Sequence, residues 1–107
     1  MNRDRNPKLN ITGKQVLYMH NYLQNALKDH PASGWLWGRI AHTINGTSIR
    51  LCNLTEDQID ILDSAYDMLE RCRGPWSKTT RRAARRQRKK IETWRGVSAI
   101  DRLGDLV

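Results

Sequence analysis

The chain has 107 residues, with 19 Lys and Arg against 11 Asp and Glu, a net charge of +8 and a pI near 10.1. That length has room for one small domain and a tail around a modest core. With no apolar run approaching a membrane span and no signal-peptide pattern, an intracellular protein (cytoplasmic, or nucleoid or nuclear) without membrane contact is expected.

Positions 1–10 mix Asn, Arg, Asp, Lys and Pro with almost nothing apolar, and read as a disordered arm. Its Arg3, Arg5 and Lys8 offer weak phosphate contacts, though a solvated tail is the simpler account. A small globular domain follows over 11–73. Thr12 and Gln15 have capping-box spacing, and Ile11 and Val16 that of a hydrophobic staple, so a helix opens there. It runs to about residue 28 with Val16, Met19, Tyr22, Leu23, Ala26 and Leu27 on one face, and His30-Pro31 stops it. The same opening recurs at Leu54-Thr55-Glu56-Asp57-Gln58-Ile59. It predicts a second helix to about residue 71, with Ile59, Leu62, Ala65, Tyr66 and Leu69 as its buried stripe.

Between these helices, residues 39–44 and 47–52 alternate around Asn45-Gly46, a strong hairpin signal because a type I′ turn needs positive φ at both central positions. In that register Ile40, His42, Ile44, Thr47, Ile49 and Leu51 share a face, which makes His42 a hydrogen-bonded core residue. A helix over 35–44, ended by Gly46 in a helix-turn-helix, competes. The hairpin is preferred because residues 47–51, rich in β-branched side chains, make a poor recognition helix. Trp35 and Trp37 read as core first and as a stacking platform for bases second. The expected fold class is therefore α+β, mainly helical: a small α-β-β-α domain with a β-hairpin around Asn45-Gly46, followed by a basic C-terminal helix.

Cys52 and Cys72 have no CxxC partner or His at ligand spacing, so reduced thiols and no metal or cofactor are expected; whether the two pair stays open. On the second helix Glu56, Asp60, Asp63, Asp67 and Glu70 step by fours and threes, forming one acidic row. It is a solvated face, a contact for the basic helix, or a surface for another protein. Its regular spacing makes no cleft, so these acids are not read as catalytic.

Gly74-Pro75 makes a hinge, and residues 74–95 carry the basic element. Thr79 and Thr80 are placed to cap it. Positions 81–90 hold seven cations and no acid, and five of the seven are Arg. Arg81, Arg85 and Arg88 form one row at helical spacing; Arg82, Arg86 and Lys89 form the next, with Lys90 beside them. Like charges at this spacing repel, and with little apolar face the helix is expected to fray until a polyanion binds it. Arg95-Gly96 ends it. A short apolar tail over 96–107, capped by Ser98 and carrying Ile100, Leu103, Leu106 and Val107, then packs back on the domain or docks on a partner.

Residues 80–94 resemble the arginine-rich motif of small viral RNA-binding proteins. Thr80-Arg81-Arg82, Arg85-Arg86 and Trp94 are similar to the boxB-binding helix of lambdoid phage N antiterminators. Ala84-Arg85-Arg86-Gln87-Arg88-Lys89-Lys90 is similar to lentiviral Rev and Tat peptides. The resemblance implies a helix that folds on RNA and meets phosphates through its arginines.

Charge and resemblance together predict a small nucleic-acid-binding regulator, RNA preferred over DNA, of a viral or phage kind. Arg81, Arg82, Arg85, Arg86, Arg88, Lys89 and Lys90 would contact the nucleic acid. The alternative is a protein–protein adaptor, or an inhibitor of a host nucleoprotein complex, acting through Glu56, Asp60, Asp63, Asp67, Ile100 and Leu103. A solvated charge run or localisation signal is the plainest account of the basic stretch. No P-loop, nucleophile elbow or metal pattern suggests an enzyme.

Overall fold

The computed structural model describes residues 7–43, 45–71 and 77–106. It is α+β and mainly helical. The described elements are strand β1 (Lys8–Thr12), helices α1 (Gly13–Gln24) and α2 (Ser33–Ile40), strand β2 (Gly46–Arg50), a 3-10 turn (Leu51–Asn53), and helices α3 (Glu56–Glu70) and α4 (Ser77–Leu106).

Both expected capping boxes form. Thr12 and Thr55 each accept a hydrogen bond from the backbone N–H of the Gln three residues on, and each Gln side chain accepts one from the cap residue's N–H. Helix α1 ends at Gln24, earlier than expected, and Asn25 caps it, donating its backbone N–H to the Asn21 and Tyr22 carbonyls and its side-chain amide to the Asn21 carbonyl. Leu27 is still buried, now from the loop that follows, while Ala26 is exposed.

The hairpin is the main correction. The residues expected as its first strand lie instead in α2 and the turn after it, and β2 pairs antiparallel with β1, from Lys8 opposite Arg50 to Thr12 opposite Gly46. Leu36 and Ile40, one helical turn apart, bury the inner face of α2 completely, while Gly38, which would share their face in a strand, is exposed. Leu9 and Ile11 alternate with Lys8, Asn10 and Thr12 and fill the inner face of β1 opposite Ile49, so the expected arm over 1–10 is strand from position 8 on. Gly46 does have positive φ, +99°, but it opens β2 rather than closing a two-residue turn; Ile44 lies outside the described residues. A Cβ there would sit 2.4 Å from the Ile11 carbonyl oxygen, so the close strand crossing requires glycine. His42 is exposed rather than in the core. Trp35 is half-buried against the core, and Trp37 is 37% exposed with its ring 4.9 Å from that of His20.

Helix α3 lies at the centre, packed against α1, α2 and α4. Ile61, outside the expected stripe, is fully buried along with Leu62, Ala65, Tyr66 and Leu69. The outer edge of β1 has side chains where a third strand would be. Tyr66 donates its hydroxyl to the Asn10 carbonyl at 3.0 Å, the Asn10 N–H donates to Gln87 Oε1 at 3.0 Å, and Lys90 Nζ donates to the Lys8 carbonyl at 2.9 Å. Burial raises the pKa of the Tyr66 phenol, which stays a neutral donor.

Helix α4 is not the frayed, faceless helix its charge implies. Thr80, Ala84, Gln87 and Ile91 are buried at steps of four, three and four, and Trp94, the next position on that seam, is half-buried. Full burial of a side chain like Ile91 stabilises by roughly 1.5–3 kcal/mol, enough to offset part of the charge repulsion. Thr80 therefore lies inside the helix rather than capping it. The helix also continues through Gly96 to Leu106 instead of stopping. A mid-helix glycine costs only about 1 kcal/mol, and no proline follows to enforce a stop. The Gly74-Pro75 hinge and Cys72 lie outside the described residues; Cys52 is exposed.

Candidate nucleic-acid interface

Around the axis of α4, the buried seam occupies one stripe and the two predicted cationic rows occupy the rest. The first row turns toward α3. Arg88 reaches three carboxylates: Nε lies 3.4 Å from Asp63, Nη1 lies 3.2 Å from Asp67, and Nη1 also bonds Glu70. Arg85 Nε lies 3.3 Å from Glu70, and Arg71 pairs with Asp67 at 3.2 Å. Arg81 lines a cleft beside Glu70 with Lys78, Arg82 and Arg85.

The acidic row is thus divided among internal partners. Asp63, Asp67 and Glu70 hold the basic helix, while Asp60 accepts from His30 Nε2 at 2.8 Å. His30 Nδ1 accepts the Ala32 N–H at 3.0 Å, which fixes the ring proton on Nε2 and the loop before α2. Asp67 and Glu70 stand at the end of α3 that its dipole makes unfavourable for acids, and the guanidinium of Arg88 compensates. Burial pushes the Glu70 pKa upward. The hydrogen bonds and charges of Arg88 and Arg85 outweigh that and hold its carboxyl below the usual range. In turn Glu70, by hydrogen bond and charge, raises the Arg88 pKa against the opposing effect of burial.

The second row turns to solvent. Arg82, Arg86 and Lys89 are exposed, and none forms an ion pair with another described residue. Together with Thr79 and Arg85 they line a shallow cleft of about 470 Å³ with no acid in its wall. At 1.5 Å per residue, Arg82 to Lys89 spans roughly 10 Å, the axial run of about three phosphates on one strand of a duplex.

Of the seven cations marked in the sequence, Arg82, Arg86 and Lys89 face outward, Arg81 and Arg85 flank them, and Arg88 and Lys90 are turned inward, to the acids of α3 and to β1. Of the proposed protein-interaction residues, Asp60, Asp63 and Asp67 have internal partners and Glu56 is exposed at the start of α3; the side chains of Ile100 and Leu103 lie outside the described residues. What sequence reasoning missed was the seam. Its signal was present as Thr80, Ala84, Gln87, Ile91 and Trp94 at alternating four- and three-residue steps, masked by the charge between them. Among the described residues, no group of three or more His, Cys, Asp or Glu could hold a metal ion, and no helix is long and apolar enough to cross a membrane.

No family model, curated protein or solved structure matches the chain.

Proposed function

We propose that the protein is a small regulator that binds nucleic acid, RNA in preference to DNA, along the outer face of α4. One observation carries this: a solvent-facing row of Arg82, Arg86 and Lys89 without ion-pair partners among the described residues, on a helix whose opposite side is anchored by a buried seam. Anchoring matters because a helix already folded does not lose ordering entropy when it meets a polyanion. Arginine suits the task, since its planar fork matches phosphate oxygens. Arg81 and Arg85 flank the row and would make further contacts. Arg88 would not, being engaged by three carboxylates. The same engagement of Asp63, Asp67 and Glu70 weighs against an adaptor acting through the acidic row. An intracellular location, where nucleic acid is the abundant polyanion, goes with this role.

The test is fluorescence anisotropy with a labelled RNA hairpin and a DNA duplex of equal length, each titrated over a range of salt. Five phosphate contacts on a duplex predict a slope of log K against log salt near about −4.5. Replacing Arg82, Arg86 and Lys89 by Ala is expected to flatten that slope by roughly 2.7 and to weaken binding by orders of magnitude, with thermal stability unchanged. Binding unaltered by the triple substitution would move the function to the adaptor class.

A further inference from the structure

A second cationic site lies off α4, along the free edge of β2. A cleft of about 440 Å³ opens there between β2, α2 and the start of α3. Its wall includes Lys8, Arg39 and Arg50, the half-buried Trp35, and the polar Ser48 and Gln58, and it contains no acid. Lys8 and Arg50 are cross-strand partners, and like charges directly opposite each other destabilise a sheet. Neither makes an ion pair with another described residue. The sheet therefore holds a pair of cations with no ion-pair partner among the described residues, beside an aromatic side chain. Arg39 donates through Nη2 to the Ser48 carbonyl at 3.3 Å, which blocks part of the β2 edge and disfavours an added peptide strand. The volume lies within the roughly 300–1,000 Å³ typical of sites for small organic groups.

We infer that this cleft is a nucleotide subsite, in which Lys8 and Arg50 hold a phosphate while a base stacks on Trp35. An anion relieves the Lys8–Arg50 repulsion, and a base has the flat face that Trp35 complements. Position supports the same ligand. Lys90 of α4 bonds the Lys8 carbonyl, so the basic helix abuts the strand residue that begins the cleft. A nucleic acid lying on the outer row of α4 would continue past Lys8 into the cleft with an unpaired nucleotide. This rests on the proposed function for the chain leading into the cleft, and it assigns a recognised structure: a duplex or hairpin with a single-stranded extension.

The experiment compares a blunt RNA hairpin with the same hairpin carrying an unpaired extension of a few nucleotides, and titrates adenosine monophosphate separately. The wild-type protein is expected to bind the extended hairpin at least about fivefold more tightly than the blunt one, in line with one stacked base. Lys8→Ser with Arg50→Ser, both exposed positions, should abolish that gain. Trp35→Leu should do the same while leaving every charge in place. Thermal melts confirm that each variant is folded. Saturable binding of adenosine monophosphate that depends on Lys8, Arg50 and Trp35 would show that a free nucleotide suffices; binding of the extended hairpin alone would show that the nucleotide must belong to a chain. Either supports the subsite. If the extension adds nothing although the blunt hairpin binds through α4, the subsite is overturned and the function of α4 stands. If neither hairpin nor adenosine monophosphate binds, both fail. If the gain survives Trp35→Leu, or polyglutamate competes for it as well as RNA does, the cleft is a plain cationic surface and the nucleotide assignment is wrong.

Discussion

Replacing Arg88 should damage the fold rather than the binding surface. Its side chain is 28% exposed, and its three carboxylate partners, Asp63, Asp67 and Glu70, are 26%, 33% and 17% exposed. The cluster therefore lies between an exposed ion pair, worth about 0–1 kcal/mol, and a buried one, where losing a single partner costs about 3–5 kcal/mol. Arg85 and Arg71 continue to neutralise Glu70 and Asp67 in part, which lowers the cost. Arg88→Met keeps most of the aliphatic stem and removes the guanidinium, with its charge and its hydrogen bonds to the carboxylates. We expect it to destabilise by about 2 kcal/mol, which for a domain of this size lowers Tm by about 8–16 °C. Arg86→Ala, an exposed position on the outer row, should stay within about 0.5 kcal/mol of the parent. The assay is urea and thermal unfolding by circular dichroism at low salt and at 1 M salt, where screening over about 3 Å should shrink the difference. A cycle with Glu70→Gln isolates the coupling between the pair. If Arg88→Met and Arg86→Ala melt alike, the ion cluster contributes nothing, and the buried seam alone holds α4.

Three further outcomes follow from the same geometry. Gly46→Val should cost about 3 kcal/mol or more, since it adds strain at φ +99° to a Cβ 2.4 Å from the Ile11 carbonyl oxygen; a variant melting like the parent would mean β2 can shift away from β1. Ile91→Ala should cost about 2–5 kcal/mol by leaving a cavity between α4 and the body, measured by chemical denaturation, and a cost below about 1 kcal/mol would mean that α4 does not dock on the core. Stability should also fall in acid. The Glu70 pKa is depressed in the folded protein, so the unfolded chain binds more protons through the carboxylate range. The contribution of Glu70 is thus complete above its unfolded pKa and is lost as pH falls through the folded one. Glu70→Gln should flatten that part of the stability–pH curve, and an unchanged curve would refute the ion pairs.

Local signals in the chain settled local structure. Thr12 with Gln15 and Thr55 with Gln58 fixed two helix starts, because a capping box is satisfied within four residues and needs nothing distant. The apolar stripe of α3 and the two cationic rows of α4 were legible for the same reason: helical periodicity alone places residues on a face. The choice of partners was not legible. Leu9 and Ile11 could be assigned to a strand only once β2 was there to pair with them, and Asn45-Gly46 invited a nearer partner that α2 had already taken. The acids of α3 and the arginines of α4 were visibly complementary. Which arginine turned inward depended on the rotation of α4 about its axis, and that is set by burial of Thr80, Ala84, Gln87 and Ile91. The sequence by itself therefore determined helices α1 and α3, the buried stripe of α3 and the charged rows of α3 and α4, but neither α2 nor the buried face of α4. Tertiary packing decided that Arg88 pairs with the acids of α3 and that Arg82, Arg86 and Lys89 face the solvent, because a helix rotation is fixed by the least soluble stripe and not by the most conspicuous one.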